Sequence, residues 1–355
     1  MNLPVNVSQK ELLDVLLNIA PSRPVYIWGA PGIGKSALVE KFAELVGMPC
    51  VSLLGSQLAP EDIIGIPQIQ DGVSAFLPPK MIARKDPYIL FLDELNACSQ
   101  EVQKAFYSLI YERRVGEYHL PAGSVVIGAG NRASDNAIVK TMSSALLNRM
   151  FHVQLKPNAG EWLAWAYEEG LHLLVTDYIT QRPDHLFAEP PKTEEPFSTP
   201  RSWHMLSDAI KSYEAGGAEL SEELLRMLAY GCISPSHAGL FVAFSKQVKN
   251  KYMLNDIIKG TRRWPEDPAD RDLLYFLAQS FRARLIHDLP ANKQKLDGEK
   301  QNLSYRAKTL IKELSQISYE IARVVVDSEG DEALPDWFLL EVVRDLPRLL
   351  DSRNT

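Results

Sequence analysis

Cysteine is scarce: Cys50, Cys98 and Cys232 are the only three in 355 residues, far apart and without a Cys-x-x-Cys pair. This excludes a disulfide scaffold and a zinc ribbon, and it fits a reducing compartment. The seven histidines show no i,i+4 pairing with one another or with cysteine, so no zinc site is expected. No apolar run reaches the roughly 18 residues that a membrane helix needs. The opening stretch MNLPVNVSQKELLDVLLNIA has no basic n-region, and Asp14 interrupts its apolar residues, so it does not read as a secretory signal. Basic charge is also in deficit. Against 45 Asp and Glu stand 38 Lys and Arg, a net charge of -7, which sets the electrostatic expectation against nucleic acid. With 46% hydrophobic and 23% charged residues, the chain is neither disordered nor collagen-like. At about 150 residues per domain the length predicts two domains, and a cytoplasmic location is expected.

Ser8 followed by Glu11 reads as a capping box, with Leu12, Val15, Leu16 and Ile19 as the stripe of a first helix. Short apolar runs then mark strands at Val25 to Trp28, Cys50 to Leu54, Tyr88 to Leu92, Val125 to Ala129 and Phe151 to Leu155. Helical stretches separate most of them, which implies a five-stranded parallel sheet with helices on both faces. Two hairpins interrupt the alternation. One joins Ile66 to Gln70 with Val73 to Leu77 through Asp71-Gly72; the other joins Arg113 to Val115 with Tyr118 to Leu120 through Gly116-Glu117, where leading Gly suits a type II′ turn.

After about residue 157 the strand pattern ends. Pro183, Pro190, Pro191, Pro196 and Pro200 mark a linker or long loop, and the chain beyond reads as helix. Leu303, Ala307, Leu310, Leu314, Ile317, Ile321 and Val324 read as one continuous stripe, and Ala291 to Asn302 as a mobile loop. The expected division is an α/β domain over 1–197, with a trailing linker from about 157, and a helical domain over 198–355. Cys98 reads as a small buried hydrophobe, Trp162, Trp165 and Tyr167 as core, and Lys246, Lys249 and Lys251 as a solvated helix end.

The chemistry concentrates in three places. GAPGIGKS, Gly29 to Ser36, fits G-x-x-x-x-G-K-[ST] directly after a strand and directly before a helix. Glycines let backbone N–H groups curl around phosphate oxygens, and the helix N-terminus adds positive potential. Lys35 brings a full charge to the β- and γ-phosphates, and Ser36 offers a hydroxyl to Mg²⁺. YILFLDE, Tyr88 to Glu94, delivers two carboxylates to the end of a strand, where open parallel sheets place their ligands. Asp93 suits a Mg²⁺ site, and Glu94 suits the polarisation of an attacking water. Asn131 ends the fourth strand; its amide can bond a γ-phosphate or the water, although Asn is also a routine turn residue.

Together these residues resemble an AAA+ ATPase, and more narrowly the MoxR-like branch of the helix-2-insert clade, over about residues 20 to 250. GAPGIGKS is similar to its Walker A, LFLDELN (Leu90 to Asn96) to its Walker B and GAGNRAS (Gly128 to Ser134) to its sensor 1. LLNRM (Leu146 to Met150) resembles the arginine-finger segment, and TPRSW (Thr199 to Trp203) the sensor 2 segment. APEDIIGIP (Ala59 to Pro67) with the following hairpin resembles the helix-2 insert, and the Gly116-Glu117 hairpin sits where the clade carries its pre-sensor-1 hairpin.

The resemblance implies an AAA+ P-loop core followed by an all-α lid, and ATP and Mg²⁺ as ligands. Nucleotide is then expected on Gly29, Ala30, Pro31, Gly32, Ile33, Gly34, Lys35, Ser36, Ala37 and Arg201, with Mg²⁺ on Ser36 and Asp93. Glu94, Asn131 and Lys35 become catalytic, joined by Arg149, which would reach the nucleotide of a neighbouring subunit. It further implies a homo-oligomeric ring, usually a hexamer, with both hairpins facing the axial pore. Its work would be remodelling of a protein client, in some cases beside a von Willebrand factor A domain protein. Two other readings stay open: a nucleic-acid motor, and an ATP-gated scaffold with little turnover.

Overall fold

A computed structural model of the chain describes residues 6–70, 72–132, 142–217, 219–249, 254–326 and 333–345. Asp71 of the first hairpin, Ala133 and Ser134 of the GAGNRAS segment, and Lys251 lie outside them. The chain divides into two compact units, residues 1–170 with 186–205, and residues 171–185 with 206–355.

The first unit is built on a sheet in the order β1-β10-β2-β9-β6-β3. Its strands are β1 (Asn6–Val7), β2 (Val25–Trp28), β3 (Cys50–Leu54), β6 (Ile89–Asp93), β9 (Val125–Gly130) and β10 (Phe151–Leu155), every pair parallel. That is one strand more than the apolar runs predict. Asn6 and Val7 pair with Gln154 and Leu155, and two residues are too short to show any period. Alternation along the strands separates two cores. Val25, Ile27, Phe91, Ile127 and Ala129 pack with Leu12 and Leu16 of α1 (Gln9–Ile19) and Val39 and Phe42 of α2 (Lys35–Val46). Tyr26, Leu90, Leu92 and Val126 pack on the other face with Val102, Phe106 and Leu109 of α4 (Gln100–Tyr111). Burying both faces explains why these strands read as continuous apolar runs. Each such large side chain contributes about 1.5–3 kcal/mol of transfer free energy.

The expected caps form. Ser8 and Glu11 exchange hydrogen bonds across the first turn of α1, and Gly47 ends α2 in the left-handed region at φ 66°. Both hairpins also form: β4 (Ile66–Gln70) with β5 (Val73–Leu77), and β7 (Arg114–Val115) with β8 (Tyr118–His119). In the second, Gly116 takes φ 56°, as the first position of a type II′ turn requires. Short helices α3 (Glu61–Ile64) and α5 (Ser144–Leu147) precede β4 and β10, and α6 (Ala159–Glu168) follows the sheet. Of the three aromatics expected as core on and beside α6, only Trp162 is buried; Trp165 and Tyr167 are 37% and 51% exposed. Cys98 is buried, its Sγ against the Leu95 carbonyl.

Among its described residues the second unit contains helices and connecting turns and no strand. It contains α7 (Leu173–Gln181), α9 (Glu222–Cys232), α10 (Pro235–Lys249), α11 (Leu254–Lys259), α12 (Arg271–Asp288), α13 (Gly298–Ile317), α14 (Tyr319–Val326) and α15 (Asp336–Asp345), while α8 spans Pro200–Ala215. Leu277, Phe281, Leu285, Leu310, Leu314 and Phe338 form its largest core, where the Trp264 indole donates to the Leu310 carbonyl at 3.2 Å. Two readings of this region need correction. The stripe from Leu303 to Val324 is two helices: Ser318 closes α13 through its N–H to the Leu314 carbonyl, and its hydroxyl accepts from Ile321 to open α14. A one-residue break leaves the apolar period intact. The stretch expected as a loop also holds the start of α13, because Asp297 caps it by accepting from the Lys300 N–H at 2.9 Å. Lys246 pairs with Glu222 at 3.1 Å rather than being merely solvated.

This unit also holds a polar cluster in which Tyr178, Arg182 and His185 are buried, His237 is half-buried and Asp184 is exposed. Tyr178 Oη meets His185 Nδ1 at 2.6 Å, His185 stacks on His237 with centroids 3.9 Å apart, and Arg182 holds Asp184 through two nitrogens. Burial, then the Arg182 guanidinium, pushes His185 down to about 2 and His237 down to about 4. An unfolded histidine titrates near 6.5. Below that value the unfolded chain takes up protons that the folded unit refuses, so stability is full above pH 6.5 and falls toward pH 4. The slope is at most about 1.4 kcal/mol per pH unit for each imidazole. Urea denaturation of the full chain is expected to show this decline between pH 6.5 and 5. A His185→Asn/His237→Asn variant is expected to flatten it.

Candidate functional site

The sheet's carboxyl ends gather the predicted residues. After Trp28 the chain turns through Gly29–Gly34 and enters α2 at Lys35. Gly32 and Gly34 take φ 76° and 95°, a region that side-chain-bearing residues avoid. At Gly34 a Cβ would meet nothing within 4 Å, so the cradle is open there. No side chain caps α2, which leaves its first N–H groups for a ligand. At Gly32 a Cβ would lie 2.6 Å from Thr199 Oγ1, and the Arg201 N–H donates to the Gly32 carbonyl at 3.1 Å. The TPRSW segment is thereby docked on the loop, with the Arg201 side chain exposed.

Lys35 is 7% exposed, and its Nζ donates to the carbonyls of Gly29 and Ala30 at 2.7 and 2.9 Å and to Asn131 Oδ1 at 2.9 Å. Asn131 therefore stands beside the lysine rather than in a remote turn. Ser36 Oγ donates to Asp93 Oδ2 at 2.8 Å, joining the first turn of α2 to the end of β6. A hydroxyl and a carboxylate side by side suit a hard cation that takes oxygen ligands. Magnesium fits these donors.

Glu94 holds φ 52°, one of two described non-glycine residues in the left-handed region, and its peptide is tied by Leu95 N–H to the Ala129 carbonyl at 3.0 Å. Strain of this kind costs about 1–3 kcal/mol and persists where surrounding bonds over-determine it. The Glu94 carboxylate accepts from Ser56 Oγ at 2.5 Å. Asn96 donates to the Asn131 carbonyl at 2.6 Å. Neither role was visible beforehand, and Ser56 carries only one signal, its place just beyond a strand that neighbours β6. Gly130 completes the corner. A Cβ there would sit 2.0 Å from the Tyr26 hydroxyl and 2.1 Å from Asn96 Oδ1, both buried.

Lys35, Ser36, Asp93, Glu94 and Asn131 thus share one site, and Arg201 adjoins it through its main chain. Arg149 does not join them. Its guanidinium lies over the rings of Tyr107 and Tyr111 at 4.4 and 4.5 Å, with Nη1 donating to the Ala145 carbonyl at 2.8 Å. Neighbouring arginines are held elsewhere, Arg113 by the Ser124 carbonyl and Arg114 by Glu112 at 2.6 Å.

A strand, a glycine-rich turn and a helix, with a strand leading into two carboxylates one place further along the sheet, define a nucleotide-binding P-loop core. Residues 24–150 match the AAA domain (dynein-related subfamily), and the α/β unit has the AAA+ P-loop fold, followed by helices. Midasin of Giardia intestinalis is 29% identical over 169 residues, 44% of this chain but 4% of that protein, so the chain spans a small part of that relative's length. Among solved structures, a variant of Thermotoga maritima RuvB is similar with a TM-score of 0.41 at 16% identity, covering 72% of this chain and 76% of that one. Domain III of the Thermotoga maritima replication initiation protein DnaA gives 0.40 at 15%, covering 64% and 91%.

The two glycines separate stability from binding. Gly130→Ala is expected to destabilise the fold by about 1–3 kcal/mol, through overpacking of a full corner. Gly34→Ala meets no neighbour, so it should cost only about 1 kcal/mol of backbone strain. Denaturant midpoints of the two variants check the difference.

Proposed function

We propose that this chain hydrolyses ATP with Mg²⁺ as a ring-forming, MoxR-like AAA+ ATPase that remodels a protein partner. The observation that carries the reading is the Ser36–Asp93 hydrogen bond, which brings the phosphate loop and the acidic strand end together with Lys35, Asn131 and Glu94 alongside. In this reading the loop from Gly29 to Ala37 binds the triphosphate through its N–H groups, and Lys35 places its charge on the β- and γ-phosphates. Ser36 and Asp93 hold magnesium, which when bound supplies positive charge to the phosphate oxygens. Glu94, oriented by Ser56, takes the proton of the attacking water, and Asn131 orients that water or the γ-phosphate. Arg201 touches nucleotide from the docked TPRSW segment. Arg149 serves the site of a neighbouring subunit, so its distance from its own Lys35 is no obstacle.

A protein client is favoured over nucleic acid by the first hairpin. Ile66, Ile69 and Val73 are 66%, 84% and 65% exposed on β4 and β5, an apolar strand surface unsuited to phosphates. The second hairpin's arginines are already held, which weakens the nucleic-acid reading. The hexameric state, a von Willebrand factor A domain partner, a cytoplasmic location and a lid over 198–355 belong to the same proposal and rest on the family resemblance.

Lys35→Ala is expected to weaken ATP binding at least about tenfold, since charge-assisted bonds are lost. Glu94→Gln should retain binding and lose at least about 100-fold in turnover. Nucleotide titration and phosphate release check both. Turnover by Glu94→Gln equal to the wild type would overturn the enzyme reading and leave the scaffold.

A further inference from the structure

We propose that Tyr107 and Tyr111 form an aromatic clamp that presents Arg149 to the neighbouring subunit; the inference rests on the reading of Arg149 as the arginine acting in trans. The two tyrosines stand four residues apart near the end of α4, so their side chains share one face. Their ring centroids are 6.3 Å apart at 45°, and the guanidinium carbon of Arg149 lies 4.4 Å from one and 4.5 Å from the other. Both distances fall inside the range of about 6 Å over which a cation is attracted to a ring face.

The chemistry of a guanidinium makes this arrangement selective. Its faces bind aromatic rings and its edges carry the N–H donors. Here both rings lie on one side of the cation, since their centroids, 6.3 Å apart and 4.4 and 4.5 Å from the guanidinium carbon, subtend about a right angle at it. Of the edge, Nη1 reaches the Ala145 carbonyl, while Nε is buried with no hydrogen-bond partner. Among the described residues no carboxylate pairs with Arg149. A carboxylate would hold the side chain but neutralise it, and would compete with a phosphate. The two rings restrict a long, rotamer-rich side chain and leave its charge intact. Tyr111 is 61% exposed, so packing of its own ring does not account for it. The clamp makes Tyr107 and Tyr111 positioning residues, acting on the reaction through Arg149 alone.

The test compares three variants of the full chain, Tyr107→Leu/Tyr111→Leu, Tyr107→Phe/Tyr111→Phe and Arg149→Ala, by kcat, nucleotide Kd and melting temperature. Arg149→Ala is expected to lose about 10³-fold or more in kcat with Kd unchanged. The double Leu variant should lose about tenfold in kcat with Kd within twofold, and the double Phe variant should recover, because the ring faces return. Mixing the double Leu variant with Glu94→Gln subunits, whose clamp and Arg149 are intact, should restore turnover at the Leu-bearing sites. Wild-type kcat in Arg149→Ala would sink the trans-arginine reading and the clamp with it. A slow Arg149→Ala beside a fully active double Leu variant would sink the clamp alone. So would parallel losses of Kd and melting temperature, a double Phe variant as slow as the double Leu, or no recovery on mixing. Should the double Leu variant not fold, Tyr111→Leu, at the exposed position, replaces it with the same expectations at smaller size.

Discussion

The hydrogen bond between Ser36 and Asp93 is the constraint on which the site depends. It spans 57 residues of sequence and closes a gap between a helix start and a strand end. Neither group is placed by its own segment alone. Ser36 is where it is because Gly32 and Gly34 turn the chain through positive φ, a region other residues enter only at a cost, and Asp93 because β6 runs buried and parallel beside β9. The sheet therefore does more than supply a core. Its parallel order sets Gly29, Asp93 and Asn131 at one edge, and the register between β2 and β9 brings Trp28 opposite Gly130, from which the loop and Asn131 both continue.

The same corner shows why small residues recur there. Gly130 leaves room for a tyrosine hydroxyl and an asparagine amide, and Gly55 lies so near the Glu94 carbonyl that a Cβ would approach it to 3.1 Å. A Cβ at either glycine would crowd this corner, where Glu94 keeps its positive φ. In the proposed reaction a general base needs a fixed donor-acceptor distance, and the Ser56 hydrogen bond to the Glu94 carboxylate would help to fix it.

Much of this was legible in the sequence, for identifiable reasons. Five strands declared themselves because burial on both faces demands apolar runs, and the phosphate loop because its glycines and lysine have no cheaper explanation. The strand at Asn6–Val7 was silent because two residues carry no period, and the break at Ser318 because one residue does not disturb one. Trp165 and Tyr167 misled for the opposite reason: a helix that buries Trp162 presents its neighbours outward, and composition does not say which. Ser56, Tyr107 and Tyr111 lay beyond reach because their roles come from contacts between segments. Tyr107 and Tyr111 look like any amphipathic pair until the turn after α5 lays Arg149 across them.

That placement bears on how a single chain relates to an assembly. An uncompensated guanidinium at a half-buried site is costly unless its faces are covered or its edge finds an anion. In this chain two rings meet the cation from one side and, among the described residues, Nη1 is its hydrogen-bonded nitrogen, which leaves the charge unneutralised, as the proposed role in trans requires. The hairpin at Ile66–Leu77 has the complementary character: exposed aliphatic side chains along both strands and a single charged residue in its sequence, Asp71. Basic charge held in reserve near α4 and apolar surface held in reserve on this hairpin are different kinds of incompleteness. Hydrolysis in the proposed ring would engage the first and a protein client the second, so catalysis and client binding would draw on separate surfaces of one subunit. A shared core is available to couple them, since β6, which ends in Asp93, packs in the same core as α4 and Ile63 of helix α3.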